Sequence, residues 1–577
     1  MKVKRGRGIP VFLGMYLVCT MAFFASVAGA QVAVDTSHMD RVGEFAKHWK
    51  AQLGPNNNRL SGAAQNFIHL GEQWEKIKGV AAAMSPAQRG GGPGSVESQS
   101  QSSQPQLPEV FGPASQPNLS FTRFSGAVQS ETSTAWCGKA AVVGFNDSGS
   151  FWETGGFSPI GGQSFNGYSV SADGGATFTD KGFPSVGPAG TFMVGDPVLA
   201  CTGPANFLYA SLYEDGSVPG PSGYGYSDIS LSTSTDGGNT FSAPAAAIAK
   251  DAYYHFLDKP WMTVDLANPK TIYVTYTDFD GSGTSATCGK SFRTAIELVS
   301  SIDGGTTWSA PIVVQEVCGN PFVQGSQVAV APVTGKVYVA WESFASDFYT
   351  RELDIANSTD GGATFSAPTK VSAVDAVGDG DLFFGIQGFI RNFEFPSLTI
   401  GKGKKNTGVL YITWNDGDNR VKDAWVGFIK TVFGLGDGKY GFSDVLFTSS
   451  ANGGAMWSAP VVVNKNRSNH DNYQPGVATD RAGAIAVCWY DRRRDPNNFL
   501  IDRFCGESTN GGASWTNTKL TPLNYASVVN QDLLIARNYM GDYDQITAQT
   551  TGAKTSGFLG AFVNTHRGNQ NVIGRQF

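Results

Sequence analysis

The chain has 577 residues, with 42 Lys and Arg against 48 Asp and Glu, so its net charge is only −6. This balance lacks the basic excess that a nucleic-acid partner would select. After the first 30 residues no segment has about eighteen uninterrupted apolar residues, so the mature chain is predicted to be soluble, without a membrane span.

Residues 1–30 have the pattern of a secretory signal peptide. Lys2, Lys4, Arg5 and Arg7 form a basic start, an apolar stretch from Val11 to about Ala25 follows, and Ala28-Gly29-Ala30 offers small residues for cleavage. The apolar stretch is too short for a typical membrane span. We therefore predict a mature chain from Gln31 in a secreted or periplasmic location, with an uncleaved anchor as the alternative.

Residues 31–88 are predicted to form a small helical hairpin. Apolar residues recur at helical spacing from Val42 to Leu53 and again from Leu60 to Ala81, and Pro55-Asn56-Asn57-Asn58 separates the two stretches. A unit this small is not expected to fold alone, so it should dock on the rest of the chain or on a protein partner. Residues 89–117, rich in Gly, Ser, Gln and Pro, are predicted to be a flexible linker.

Residues 118–577 are predicted to form one all-β domain, because short apolar runs alternate there with Gly, Asn, Asp and Pro clusters. Six copies of one motif, Ser-x-Asp/Asn-Gly-Gly-x-x-aromatic, occur in it. The Asp or Asn can accept hydrogen bonds from the backbone of a tight turn, and Gly-Gly supplies the positive φ angles of a hairpin. We call these the repeated turns: SADGGATF at Ser171, STDGGNTF at Ser234, SIDGGTTW at Ser301, STDGGATF at Ser358, SANGGAMW at Ser450 and STNGGASW at Ser508.

The repeated turns resemble the Asp-box, the bacterial neuraminidase repeat of sialidases and related β-propellers. This resemblance implies a β-propeller and an exo-acting glycoside hydrolase of the sialidase type. Asp-boxes also occur in propellers with other functions, so a non-catalytic propeller that binds glycan or protein is the alternative. The Phe-Arg-Ile-Pro motif of sialidases has no counterpart here, the nearest sequence being Phe121-Thr122-Arg123-Phe124.

The number of blades follows from the strands around each repeated turn. A short strand, such as KPWMTV at Lys259, and a more apolar strand, such as TIYVTYTD at Thr271, precede each turn. Together with the strands that enter and leave the turn, they make a four-stranded blade. Three strands of a further blade follow the sixth turn, so we predict seven blades, with the missing strand supplied from within Leu119 to Phe124. Six blades with a C-terminal appendage is the alternative.

The candidate site lies on the face opposite the repeated turns, where first strands start and second strands end. We call this face the mouth. Glycosidases pair a carboxylic acid with a nucleophile or base, sialidases use a tyrosine nucleophile, and arginines bind a substrate carboxylate in bidentate fashion. The candidate catalytic residues are Glu131, Asp258, Asp491 and Tyr543. The candidate substrate-binding residues are Asp147, Asp196, Lys259, Glu394, Asp416, Arg492, Arg493, Asp542 and Arg567.

No cofactor and no catalytic metal are expected at the mouth, although its acidic ring leaves a structural Ca²⁺ as an alternative. Two apolar loops, 381–393 and 423–436, are predicted beside it. They either pack on each other or form a wall that binds a sugar, a peptide or the N-terminal hairpin.

Six cysteines remain after the signal peptide, and export to an oxidising compartment permits disulfide bonds. The blade alignment places two cysteines in adjacent 1–2 turns, two on the mouth side of the third blade and two on neighbouring strands of the sixth. The predicted pairs are Cys137–Cys201, Cys288–Cys318 and Cys488–Cys505.

Overall fold

The computed structural model places most of the chain after the first 36 residues. It describes residues 37–53, 60–83, 128–157, 159–347, 350–377, 386, 388, 390–421, 440–465, 470–527, 532, 534–535, 539–552, 556–566 and 570–577. The predicted signal peptide, the linker and the closing strand within 119–124 lie outside these residues, as does loop 423–436.

The fold is a β-propeller of seven antiparallel blades, as the sequence predicted. In each blade the strands follow one another in sequence from the centre of the ring outwards. The first strands contact each other around the whole ring, and the first strand of the seventh blade returns to that of the first. Gln129 N donates to Gln570 O over 2.9 Å at this closure. The alternative of six blades with an appendage is therefore excluded.

The strands are numbered in chain order. Those of the first three blades are β1 (Gln129–Cys137), β2 (Ala140–Asp147), β4 (Asn166–Ser171) and β5 (Thr179–Asp180); β6 (Thr191–Cys201), β7 (Phe207–Asp215), β8 (Tyr226–Ser234) and β9 (Ala245–Asp251); and β10 (His255–Val264), β11 (Ile272–Asp280), β12 (Arg293–Ser301) and β13 (Ile312–Cys318). A short strand, β3 (Gln163–Ser164), adds to the second blade in parallel with β6.

The remaining blades have the same plan, and three strands of the seventh are described. They are β14 (Phe322–Val330), β15 (Val337–Phe344), β16 (Thr350–Ser358) and β17 (Thr369–Asp375); β18 (Ser397–Ile400), β19 (Leu410–Val421), β20 (Tyr440–Ser450) and β21 (Val461–Val462); β22 (Asn472–Thr479), β23 (Ile485–Asp491), β24 (Asp502–Ser508) and β25 (Thr516–Lys519); and β26 (Ile546–Ala548), β27 (Phe558–Asn564) and β28 (Asn571–Gln576).

The six repeated turns share one hydrogen-bond pattern. In each, the Ser hydroxyl donates to the Asp or Asn side chain and accepts from the backbone N–H of the second glycine. The same Asp or Asn oxygen accepts from the N–H four residues later. Both glycines have positive φ in every copy. The motif therefore recurs because a single local geometry requires it in six blades.

All three predicted disulfide bonds are present. The Cα–Cα separations are 6.2 Å for Cys137–Cys201, 5.3 Å for Cys288–Cys318 and 4.0 Å for Cys488–Cys505. The first bond joins two adjacent blades, and the third joins directly opposed residues of β23 and β24. Because the blade alignment alone selected these pairs, their presence confirms that alignment.

The N-terminal hairpin is also confirmed, with helix α1 at Ser37–Leu53 and helix α2 at Gly62–Ala83. Its apolar side packs on the first three blades in one continuous core. The Phe45 and Trp49 rings each lie 5.6 Å from the Phe256 ring, and Phe67 lies 5.1 Å from Phe192. None of the described helices is both long and apolar enough to cross a membrane.

The repeated turns generate a prediction about stability. Asp173→Ala should lower the free energy of unfolding by about 1 kcal/mol, because the Ser171 hydroxyl and the N–H groups of Ala176 and Thr177 lose their acceptor. Asp173→Asn is the matched control, since asparagine occupies this position in two natural copies. Chemical denaturation measures both, and equal losses for the two variants would contradict the shared geometry.

Candidate functional site

Four first strands contain, a few residues after their start, a residue in the left-handed region of backbone space. Glu131, Asp196, Lys259 and Gln474 have φ of 50°, 51°, 49° and 49°, and each stands at a break in strand register. Gly325 takes the equivalent place in the fourth blade. Side chains other than glycine are strained there by about 1–2 kcal/mol, and such bulges redirect side chains. Strain at equivalent positions of four blades marks the mouth as a candidate site.

Buried carboxylates from several blades surround one ammonium group. Lys259 Nζ lies 3.0 Å from Glu131 Oε1, 3.0 Å from Asp542 Oδ2 and 3.7 Å from Asp196 Oδ2. The backbone N–H of Lys259 donates to Asp258 Oδ1 over 3.0 Å. We call these five residues the mouth cluster. All of its side chains are buried, and all five residues are among the candidates that the sequence placed at the mouth.

Three further side chains complete the cluster. The Asn146 amide donates to Glu131 Oε2 over 2.8 Å and accepts from the N–H of Asp196. Gln324 Nε2 donates to Asp258 Oδ2, and Arg391 Nε lies 3.0 Å from Asp542 Oδ1. The sequence pattern did not single out Arg391, because only the apolar character of its loop was visible.

The carboxyl groups of the mouth cluster have shifted pKa values of opposite sign. Burial, with the neighbouring Asp196, raises the pKa of Glu131 well above its usual value, and burial also raises the pKa of Asp196 and Asp258. Burial disfavours the Asp542 anion too, but Arg391 and Lys259 outweigh it and hold the pKa of Asp542 below its usual value. Burial opposes the charge of Lys259, yet the surrounding carboxylates raise its pKa. Because the two pKa shifts have opposite signs, Glu131 keeps its proton to a higher pH than Asp542 does.

The N-terminal hairpin covers this cluster. Ser61 N donates to Asp258 Oδ2 over 2.6 Å, and Gly62 N donates to Asp542 Oδ2 over 2.9 Å. The same peptide segment accepts at Leu60 O from Arg391 Nη2 over 2.6 Å. A Cβ on Gly62 would lie 1.7 Å from the Tyr539 ring, so only glycine fits here. The start of α2 is thus fitted into the mouth.

A small cavity lies beside the cluster within the channel. Its lining includes Trp261, Phe395, Gln474, Asp542 and Tyr543. Lys259 Nζ lies 4.6 Å from the centre of the Tyr543 ring, and Trp261 packs edge-on against that ring. Among the described residues, none accepts a hydrogen bond from the buried Tyr543 hydroxyl, and burial raises the pKa of that hydroxyl. The cavity therefore combines aromatic walls with a polar group available to a ligand.

The arginine and aspartate candidates on the sixth blade are held in local ion pairs. Arg493 Nε lies 2.8 Å from both oxygens of Asp491, which also accepts from Trp489 Nε1. Arg492 Nη1 donates to Asn498 O over 2.9 Å and lies 3.5 Å from Asp471 Oδ2. These contacts do not include the mouth cluster.

The other candidates have separate roles in the structure. Glu394 forms an ion pair with Arg351, and Asp416 accepts from Trp414 Nε1 over 3.0 Å. Asp147 accepts from Gly149 N at the start of the short helix α3 (Ser148–Glu153). Arg567 lies outside the described residues.

One group in the described part of the chain has metal-like spacing. His255, Asp278 and Asp280 offer three ligand atoms within 4.8 Å of one another. However, Lys250 Nζ and Arg293 Nη1 lie 2.8 and 3.0 Å from Asp278 Oδ2. Burial opposes the Asp278 anion, but His255 and Lys250 lower its pKa to about 2. These cations balance part of the carboxylate charge at this group, and a structural ion bound there stays a prediction.

Comparison with known proteins identifies similar folds. No protein-family model and no curated protein matches the chain. Similar solved structures include the Hadza microbial sialidase Hz136, with 14% identity over 66% of this chain and 65% of that one and a TM-score of 0.37. The NanB sialidase from Streptococcus pneumoniae has 10% identity over 76% and 83%, with a TM-score of 0.38. The GH93 α-L-arabinofuranosidase of Fusarium graminearum has 12% identity over 55% and 92%, with a TM-score of 0.32.

Structural neighbours of the chain are thus sialidases and related propeller hydrolases. At these identities the likeness concerns the propeller alone, because one fold carries many functions. The function has to be argued from the chemistry of the mouth.

The raised pKa of Asp147 predicts that the free energy of unfolding depends on pH. Burial raises its pKa from 3.8 to about 7, so the folded state binds a proton more tightly than the unfolded state. Stability from this group is therefore present below about pH 4 and is lost as the pH rises through about 7. Asp147→Asn keeps a neutral side chain that can cap α3, so its free energy of unfolding relative to wild type should rise between pH 4.5 and 8.5 by about 1–4 kcal/mol.

Urea denaturation at the two pH values measures this difference. Asp173→Asn serves as the control, because the Asp173 pKa is held near 2 by hydrogen bonds that outweigh its slight burial, and it stays ionised throughout this range. A gap between Asp147→Asn and wild type that is the same at both pH values would contradict the prediction.

Proposed function

We propose that the protein is an exported glycoside hydrolase that acts at the mouth cluster. The observation that carries this proposal is the pairing of Glu131 with Asp542. The pKa of one carboxyl group is raised and that of the other is lowered, in the direction that an acid and its partner require in glycoside hydrolysis.

The spacing of this pair favours a retaining reaction. Glu131 Oε1 and Asp542 Oδ2 each lie 3.0 Å from Lys259 Nζ, so these two oxygens are no more than about 6 Å apart. Carboxyl groups lie about 5–5.5 Å apart in retaining enzymes and about 6.5–9.5 Å apart in inverting ones. In this mechanism Glu131 protonates the leaving oxygen and Asp542 attacks the anomeric carbon. Water then releases the sugar, with Glu131 as the base.

The lining of the channel cavity has the chemistry that a sugar ligand needs, although the cavity itself, at about 20 Å³, has room only for a water molecule or two. Trp261, Phe395 and Tyr543 offer apolar faces for a sugar ring, while Asp542 and Gln474 offer hydrogen-bonding groups. Ligand sites generally combine such apolar walls with a few polar groups. Asp196 and Asp258 are the further carboxylates available to sugar hydroxyls.

The narrower, sialidase-type form of this proposal assigns different roles. Tyr543 would be the nucleophile, and Arg492, Arg493 and Arg567 would bind the substrate carboxylate. In the described structure Arg492 and Arg493 are held by Asp471 and Asp491. The broader glycosidase proposal has more support for this reason.

Export is part of the proposal. The N-terminal sequence has the pattern of a signal peptide, and three disulfide bonds fit an oxidising compartment. A carbohydrate or glycoconjugate outside the cell is then the expected partner.

One observation favours the alternative of a non-catalytic binding propeller. All members of the mouth cluster are buried, the hairpin contacts two of them, and Glu131 and Asp542 are ion-paired with Lys259. If this cover is permanent, only other surfaces of the propeller are available to a glycan or a protein.

A screen on 4-nitrophenyl glycosides, including neutral sugars and an α-sialoside, tests the proposal. Because the hairpin covers the cluster, the screen uses the full chain beside Trp49→Ala, which removes a buried ring from the hairpin interface. In the form that is active, Glu131→Gln and Asp542→Asn should each reduce kcat by about 100-fold or more.

Asp354→Asn is the control, because Asp354 is a buried carboxylate that hydrogen-bonds Ser343 in the fourth blade. Its kcat should stay near that of the parent. Lack of turnover of every glycoside by both forms would reject the hydrolase and leave the binding propeller.

A further inference from the structure

The segment Leu60–Gly62 meets the mouth as a ligand would. Two of its backbone N–H groups donate to Asp258 and Asp542, which belong to the third and seventh blades. Its carbonyl at Leu60 accepts from Arg391. Two donors and one acceptor, on consecutive residues, are therefore bound by three separate parts of the propeller.

This fit depends on two glycines at the contact. Gly62 approaches the Tyr539 ring so closely that a Cβ would overlap it, and a Cβ on Gly195 would lie 2.7 Å from Ala63 Cβ. The two helices also cross closely, since a Cβ on Gly71 would lie 2.5 Å from Val42 O. The hairpin is thus a rigid unit whose tip is shaped to the mouth.

We propose that Leu60–Gly62 is a built-in occupant of the substrate site, which keeps the protein latent and marks the substrate as a neutral sugar. This inference rests on the proposed glycosidase function. The hairpin then acts as an intramolecular inhibitor, and a substrate enters the mouth after the hairpin leaves it.

The polar pattern of the segment identifies the chemistry of the substrate. Neighbouring sugar hydroxyls can donate to Asp258 and Asp542, as the N–H groups of Ser61 and Gly62 do, and one hydroxyl oxygen can accept from Arg391. A substrate carboxylate at the same place would face Asp258 and Asp542, and the two nearby cations, Arg391 and Lys259, are already paired with Asp542. Like charges in a buried site repel strongly. An uncharged polyhydroxyl ligand therefore fits and a sialoside does not.

The test displaces the hairpin in the full chain at two independent places. Gly62→Leu clashes with Tyr539 at the tip, and Trp49→Ala removes the ring that packs on Phe256 and donates to Ala252 O. Lys76→Ala, on the exposed side of α2, is the control. Circular dichroism and thermal unfolding check that each variant keeps the propeller.

One measurement reports whether the hairpin has left the mouth, and a second reports which glycosides the mouth hydrolyses. Hydroxyl-radical footprinting reports the exposure of Phe256 and Tyr539, two buried rings that the hairpin contacts, and initial rates are measured on neutral 4-nitrophenyl glycosides and on the α-sialoside. We expect oxidation of Phe256 and Tyr539 to rise several-fold in both displaced variants but not in the control. Hydrolysis of a neutral glycoside should rise at least tenfold, without a matching rise for the sialoside.

The other possible outcomes contradict the inhibitory role of the hairpin, the neutral-sugar assignment or the glycosidase function itself. Unchanged footprints in both folded variants, or equal rates for wild type and variants, would overturn the inhibitory occupant. A rise confined to the sialoside would overturn the neutral-sugar assignment. Exposed aromatic residues without any hydrolysis would reject the glycosidase. Calorimetric titration of wild type and the displaced variants with neutral oligosaccharides would then test the occupant separately. Binding to the displaced variants but not to wild type supports Leu60–Gly62 as the occupant of the site, and no binding to the displaced variants overturns it.

Discussion

The mouth depends on the buried ammonium group of Lys259. It lies within 3.7 Å of carboxylates from the first, second and seventh blades, so it contacts both of the blades that meet where the ring closes. Removing one partner from a buried ion pair typically costs about 3–5 kcal/mol, because the remaining charge is left without compensation. Burial is the main cause of the raised pKa values of Glu131, Asp196 and Asp258, and these buried carboxyl groups retain a need for hydrogen-bond donors.

The hairpin supplies some of those donors. The first N–H groups of a helix have no partner inside the helix, and the helix dipole makes its N-terminal end partly positive. The start of α2 therefore suits Asp258 and Asp542, while the apolar sides of α1 and α2 suit the core of the first three blades. Charge at the tip fixes where the hairpin docks, and apolar packing supplies most of the attraction.

Local patterns made the fold predictable from sequence, but long-range contacts decide the site. The repeated turns use interactions within eight residues, so each copy can be recognised, and the blade count and cysteine pairs follow from their order. The positive φ of Glu131, Asp196 and Lys259 has no signature in residue type, because such angles usually imply glycine. Arg391 reaches Asp542 across 151 positions of sequence, and Ser61 reaches Asp258 across 197. No spacing rule connects residues so far apart.

A purely structural role does not account well for the mouth cluster. Replacing a buried ion pair by apolar residues of similar size is often neutral or stabilising, so such a cluster adds little to stability by itself. Here it is combined with left-handed backbone at three of its five residues, which adds strain. Strain and buried charge together are expected where side chains must be held in a particular arrangement for chemistry. The opposite pKa shifts of Glu131 and Asp542 are what that arrangement achieves, in a cluster that the start of α2 covers.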